Sequence, residues 1–137
     1  KDQNSSIHLE TFPTIPSKWR NEKLFQKWDK LKIVRTVANA AIEVKRSSKE
    51  IGSSLEADIK IYLGEEYLQY SKNVNLSEYI ITSKAEAKPM IIDDKLFKLD
   101  NVENVKVLVE KAKGEKCSRC WKILENPCER KNCSLKN

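Results

Sequence analysis

Cysteine is missing from the first 116 residues of this 137-residue chain, and all four cysteines lie between positions 117 and 133. A disulfide framework running through the body is therefore excluded. Glycine is scarce, at three residues, so a glycine-rich phosphate loop has no material to form from. There is one histidine, His8, and one methionine, Met90. No run approaches the roughly 18 apolar residues of a membrane span. The polar opening Lys1-Asp2-Gln3-Asn4 holds no signal-peptide core, and because the chain opens on Lys1 it is expected to be a piece of a longer polypeptide. Hydrophobic content is 39% and charged content 34%. These totals imply one modest core with a well-solvated surface, in a chain long enough for one domain with room for a metal-held appendage.

What is present begins with the cysteines. Cys117 and Cys120 form C-x2-C, seven residues intervene, and Cys128 and Cys133 form C-x4-C. Two close pairs joined by a short loop suit a tetrahedral ion, each pair making one knuckle. Lys116, Arg119, Lys122, Arg130 and Lys131 stand near enough to favour the thiolate form that binds metal. Four sulfurs without a neighbouring histidine fit zinc, in a closed structural site. Two disulfides confined to the tail remain open. A thioredoxin-like C-x-x-C would leave Cys128 and Cys133 unexplained, and a haem-attachment motif fails because Trp121 follows Cys120. His8-Leu9-Glu10 supplies the H-x-E of a zinc deaminase, but Pro127-Cys128 continues as C-x4-C rather than P-C-x-x-C. Four thiols in a metal pattern fit a reducing compartment, so a cytoplasmic location is expected.

The formal net charge is +6, and residues 111–137 hold eight basic and three acidic side chains, leaving only +1 for the rest. Such a basic end favours a polyanionic partner without establishing one.

Residues 1–20 are expected to be an extended approach, because Pro13 and Pro16 oppose a helix. Ser17 or Asn21 is placed to cap the next element. From Asn21 to Ser48, Leu24, Trp28, Leu31, Val34, Ala38, Ala41 and Ile42 recur at three-and-four spacing, predicting a long amphipathic helix. Ile33, Val37, Ala40 and Val44 form a second apolar set, which predicts that its later half is covered on two sides. The remaining polar strip, Lys32, Arg35, Asn39 and Arg46, reads either as a phosphate-facing ridge or as a solvent strip. Gly52 is expected to stop the helix. Ala57–Leu63 alternates strictly and predicts a strand. Residues 65–72 have helical character and 76–79 predict a further turn. Residues 79–85 read as a second strand, 88–104 as a loop or short hairpin, and Val105–Lys111 as a third strand. The fold class is thus α+β: a long helix packed on a small three-stranded sheet, followed by a four-cysteine zinc knuckle. The division runs 1–20 for the approach segment, 21–110 for the α+β unit and 111–137 for the zinc-binding tail. Within the tail Arg119, Trp121 and Lys122 are candidate contacts for a polyanionic partner. Arg119, between two ligands, must point away from the sulfurs. Trp121 is expected to pack under the knuckle, with stacking on a base as its other role.

Four stretches also carry a resemblance. Val34-Arg35 through Asn39 and Glu43 to Arg46, then Ile51-Gly52-Ser53-Ser54-Leu55-Glu56-Ala57, then Ile81-Thr82-Ser83, and finally Gly114-Glu115-Lys116-Cys117-Ser118-Arg119-Cys120-Trp121 succeed one another in this order. Together they resemble the C-terminal end of bacterial isoleucyl-tRNA synthetases, from about Ser6 onward. A similar finger closes the formamidopyrimidine-type DNA glycosylases, which keeps a DNA-binding repair finger as the alternative beside a purely structural interaction module. The family's second cysteine pair is usually C-x2-C, so Cys128 and Cys133 depart from it. The resemblance implies a fragment that engages the anticodon arm of the isoleucine tRNA. One structural zinc, tRNA and the upstream domains of the same chain would be its partners, and a monomer is expected. The His-x-Gly-His and Lys-Met-Ser-Lys-Ser signatures around ATP are excluded by the single histidine and single methionine. ATP binding, isoleucine activation and editing would therefore lie upstream, and this chain would carry no catalytic residue itself.

Overall fold

Asn21 starts the longest element. Its side chain accepts a hydrogen bond from the Leu24 amide at 3.0 Å, and helix α1 continues over Glu22–Ser47. Such a cap contributes about 1 kcal/mol. The structure is a computed structural model that describes residues 6, 8 and 10–128. Ahead of α1, residues 10–20 have no regular structure beyond the 3-10 turn Ser17–Trp19.

The buried stripe of α1 is Leu31, Val34, Val37, Ala38, Ala41 and Ile42. It starts later than the periodicity predicts. Leu24 and Trp28 are 49% and 37% exposed, and Phe25 is 62% exposed. The cause is a mismatch in length. Twenty-six helical residues span about 39 Å, whereas a seven-residue strand spans about 23 Å, so the first turns of α1, ahead of Leu31, run past the sheet. The expected cover on a second side is likewise only partial: Val37 is buried, Ile33 and Ala40 are half-buried, and Val44 is exposed.

The helix does not stop at Gly52. Lys49 adopts the left-handed conformation, at φ 60°. Its amide donates to the Arg46 carbonyl and the Glu50 amide to the Lys45 carbonyl, at 3.0 and 3.1 Å. These two bonds satisfy carbonyls that a helix end otherwise leaves open, in the Schellman pattern. Gly52 has another task, donating its amide to Glu56 Oε2 at 3.0 Å.

Strand β1 (Ala57–Leu63) comes next, with Ala57, Ile59, Ile61 and Leu63 all facing the core. Helices α2 (Glu65–Ser71) and α3 (Leu76–Ile80) then cross back to β2 (Lys84–Pro89), which pairs parallel with β1. The last strand, β3 (Val105–Lys111), pairs antiparallel with β1 on its other side, giving the order β2-β1-β3. Helix α1 lies over this sheet, and its stripe meets Ile59, Ile61, Val105 and Val107 in one core.

Two expectations on the second strand are corrected. Tyr79 and Ile80 belong to α3, and Ile81 caps it in the left-handed region at φ 65°. The strand begins only at Lys84 and runs into the stretch expected to be a loop. It is an outer strand whose Lys84 and Lys88 both pair with Glu86. Pro89, which has no amide to donate, ends it, as an edge permits.

Candidate metal centre and basic surface

After β3 the chain turns through Gly114, at φ 118°. A Cβ there would lie 2.1 Å from the Leu124 carbonyl oxygen, so only glycine fits. Two short strands, β4 (Glu115–Lys116) and β5 (Ile123–Leu124), pair antiparallel and hold the first knuckle between them. The Cys117 amide donates to the Lys122 carbonyl and the Trp121 amide to the Cys117 carbonyl, both at 2.9 Å. This closes a loop in which Trp121 is forced to φ 63°.

The sulfurs of Cys117, Cys120 and Cys128 all lie within 4.8 Å of one another, and those of Cys120 and Cys128 are 3.9 Å apart. Tetrahedral bonds of about 2.3 Å separate sulfurs by about 3.8 Å, whereas a disulfide needs about 2.05 Å. The trio therefore fits an ion and not a cystine, and these three cysteines could hold a metal. Cys133, with its C-x4-C spacing, lies outside the described residues, as do Arg130 and Lys131. Among the described residues no other group of this kind gathers, and His8 is not part of one.

The knuckle is fastened to the body by polar contacts. Lys122 is only 9% exposed, and its Nζ donates to Glu78 Oε1 at 2.6 Å and to Ser77 Oγ at 3.4 Å. Both partners sit on α3. Ser83, just before β2, accepts the Ile123 amide at 2.6 Å and donates to the Leu55 carbonyl. Sequence reasoning did not single out Ser77, Glu78 or the bridging hydroxyl of Ser83. The signal available was the Ile81-Thr82-Ser83 string, whose parts now have separate tasks. Ile81 makes the left-handed turn, Thr82 is fully buried and bonded to the Lys84 carbonyl at 3.1 Å, and Ser83 is the bridge.

The remaining candidate contacts fall in two places. Arg119 and Trp121 are exposed on the knuckle. Trp121 does not pack underneath it: the indole is 61% exposed, and Lys116 Nζ sits 5.7 Å above the ring. The knuckle stays closed without the indole because its backbone bonds and sulfurs, not apolar burial, hold it. On α1, Lys32 and Asn39 are exposed. Arg35 is half-buried, its guanidinium carbon 5.3 Å from the Tyr79 ring centroid and its Nε buried without a hydrogen-bond partner among the described residues. Arg46 is paired with Glu43 at 2.9 Å, which holds the Glu43 carboxyl below the usual range. Tyr79 and Glu78 are neighbours on α3, so α3 borders both the Arg35 end of the strip and the Lys122 side of the knuckle.

These features define a small α+β unit carrying a cysteine knuckle at its edge. No family model matches the chain. Its relatives are isoleucine–tRNA ligases. That of Pelagibacter ubique is 43% identical over 128 residues, covering 93% of this chain and 13% of that protein. That of Brucella abortus is 40% identical over 88% of this chain and 12% of that protein. The Rhodopseudomonas palustris ligase is 40% identical over 91% of this chain and 13% of that protein. The chain is thus related, over nearly its whole length, to one segment of the isoleucine–tRNA ligases.

Proposed function

We propose that this chain is the C-terminal tRNA-binding portion of an isoleucine–tRNA ligase, its knuckle held by one structural zinc. The identity of 40–43% along nine-tenths of the chain, confined to about an eighth of each relative, carries the reading. Cys117, Cys120 and Cys128 would hold the zinc together with Cys133, and the ion would supply rigidity rather than chemistry. Residues 21–110 would form the α+β end of the anticodon-binding region and 111–137 the zinc-binding tail. ATP binding and the ligation of isoleucine belong to the remainder of the ligase, in a cytoplasmic, monomeric enzyme. No helix among the described residues is long and apolar enough to cross a membrane.

Within this reading Arg119 and Trp121 meet the anticodon arm, with Lys32, Arg35 and Asn39 as a second row. Arg46 contributes less, since Glu43 already neutralises it, and Lys122 orients the knuckle rather than touching RNA. Two substitutions test the assignment by titration with isoleucine tRNA. Arg119→Ala should weaken binding by about 1.5–3 kcal/mol, the worth of a hydrogen bond to a charged group, with metal content unchanged. Trp121→Gly removes a stacking contact worth about 1–3 kcal/mol. It also relieves a left-handed residue, so the knuckle should gain about 1 kcal/mol while affinity falls. Parent-like tRNA binding by both variants would refute the RNA-facing role of the knuckle.

A further inference from the structure

The largest feature that this function leaves unused is apolar. Phe12 is 100% exposed, Ile15 74%, Trp19 70% and Phe25 62%. With Leu24 and Trp28 they crowd into residues 12–28, the approach to α1 and the part of it that outruns the sheet. Trp19, Leu24, Phe25 and Trp28 line a groove of about 530 Å3. Trp28 is fixed from behind by Tyr79, ring centroids 5.2 Å apart, so the groove has a firm floor. Exposure of this many large side chains together marks an interaction surface rather than ordinary surface scatter.

We propose that this groove seats an apolar, acid-rimmed face of the remaining ligase polypeptide, an inference that rests on the chain being one portion of such a ligase. Two observations choose this occupant. The relatives are far longer than the match, which covers only 12–13% of them, so nearly nine-tenths of such a protein is available to supply the face. The surroundings keep a basic excess: on the groove itself Arg20 is paired with Glu22, while Lys18, Lys23 and Lys27, next to its lining residues in the chain, have no ion pair among the described residues. A second copy would bring two such basic surroundings together and be repelled. Single-stranded RNA would match the charge and could stack on Trp19 and Phe25, but aliphatic Leu24 and the neighbouring, exposed Ile15 would gain nothing from it. An apolar protein face with carboxylates around it matches both features.

The test is hydroxyl-radical footprinting read by mass spectrometry, comparing the 137-residue chain with the longer ligase polypeptide that contains it, each with and without isoleucine tRNA. Trp19 and Phe25 should be oxidised at least tenfold more slowly in the longer polypeptide without tRNA. Trp121 should remain reactive there until tRNA is added, which reports on the proposed function separately. Equal oxidation of Trp19 and Phe25 in both chains would overturn the inference. So would protection that appears only with tRNA, which would make the groove an RNA seat. Protection in the isolated chain that grows with its concentration would assign the groove to a second copy and overturn it as well. If Trp121 is indifferent to tRNA while Trp19 and Phe25 are shielded, the RNA reading fails and the groove stands.

Discussion

The body and the knuckle of this chain are held by opposite means. In the body, Leu31, Val34, Val37, Ile59, Ile61, Leu63, Val105 and Val107 are each at most 1% exposed, and they lock α1 onto the sheet. In the knuckle, Ile123 and Leu124 are only half-buried and Trp121 faces outward. Its order comes from three convergent sulfurs, two backbone bonds and a polar fastening through Lys122 and Ser83. A region with so little apolar burial cannot offset an ordering cost of roughly 1–2 kcal/mol per residue without an ion. One domain can thus house two folding regimes, and a perturbation of either should leave a readable signature in the other.

The largest effect should come from removing the metal. Structural zinc contributes about 10–16 kcal/mol in finger peptides. Chelation should therefore strip hydrogen-exchange protection from the Cys117 and Trp121 amides while leaving those of β1 intact. A knuckle that keeps its protection after chelation would show that the sulfurs hold no ion. Next comes the body. Ile61, fully buried on the central strand, cut to alanine should cost about 2–5 kcal/mol in chemical denaturation. Metal content below the transition should be unchanged, and a loss of metal before the sheet unfolds would show that the regimes are not separate.

The seam between them is a more local probe. Ser83→Ala leaves the Ile123 amide and the Leu55 carbonyl without their shared hydroxyl, at about 1–3 kcal/mol. Because one of those groups belongs to the knuckle, exchange at Ile123 should rise well before the core loosens. Equal loosening everywhere would contradict a local fastening.

The smallest effect lies on the outer face of the sheet. Lys60 Nζ bonds Glu110 Oε2 at 2.7 Å, which holds the Glu110 carboxyl below its ordinary range and the Lys60 ammonium above its own. The contribution is complete above the unfolded carboxylate value of about 4.3 and is lost as pH falls through the lower folded value. At the alkaline end it is lost as pH rises through the raised lysine value. Both groups are well solvated, so the gain is small. Glu110→Gln should lower stability slightly at pH 7 and match the parent at pH 2; a deficit that persists in acid would remove the ion pair as its cause.

Much of this was legible in the residues. Ala57, Ile59, Ile61 and Leu63 alternate because β1 buries a single face, and Val105, Val107 and Val109 on the outer strand β3 do so for the same reason. Strand β2 was hidden because it is peripheral: its inward residues are Ala85 and Ala87, and Lys-Ala-Glu-Ala-Lys-Pro carries no strand signature, whereas Tyr79-Ile80-Ile81 nearby does. Periodicity placed Leu24 and Trp28 inward because it reports a face and not how far the sheet beneath that face extends. Cys117, Cys120 and Cys128 could be picked from spacing alone. Lys122 could not be separated from the basic tail, because its partner Glu78 is 44 positions away. Lys49 at the helix end defies composition, since glycine stands three residues later and is not used for the turn.

The marginal position of β2 has a further consequence. A strand with one unpaired side is a template on which other chains can polymerise. Here the exposed backbone is flanked by Lys84, Glu86 and Lys88, which an incoming strand would have to desolvate, and Pro89 denies it a donor. The side chains that make this strand hard to read are the ones that guard against fibril growth, so Lys84→Val with Lys88→Val should make the chain aggregate without disturbing its core.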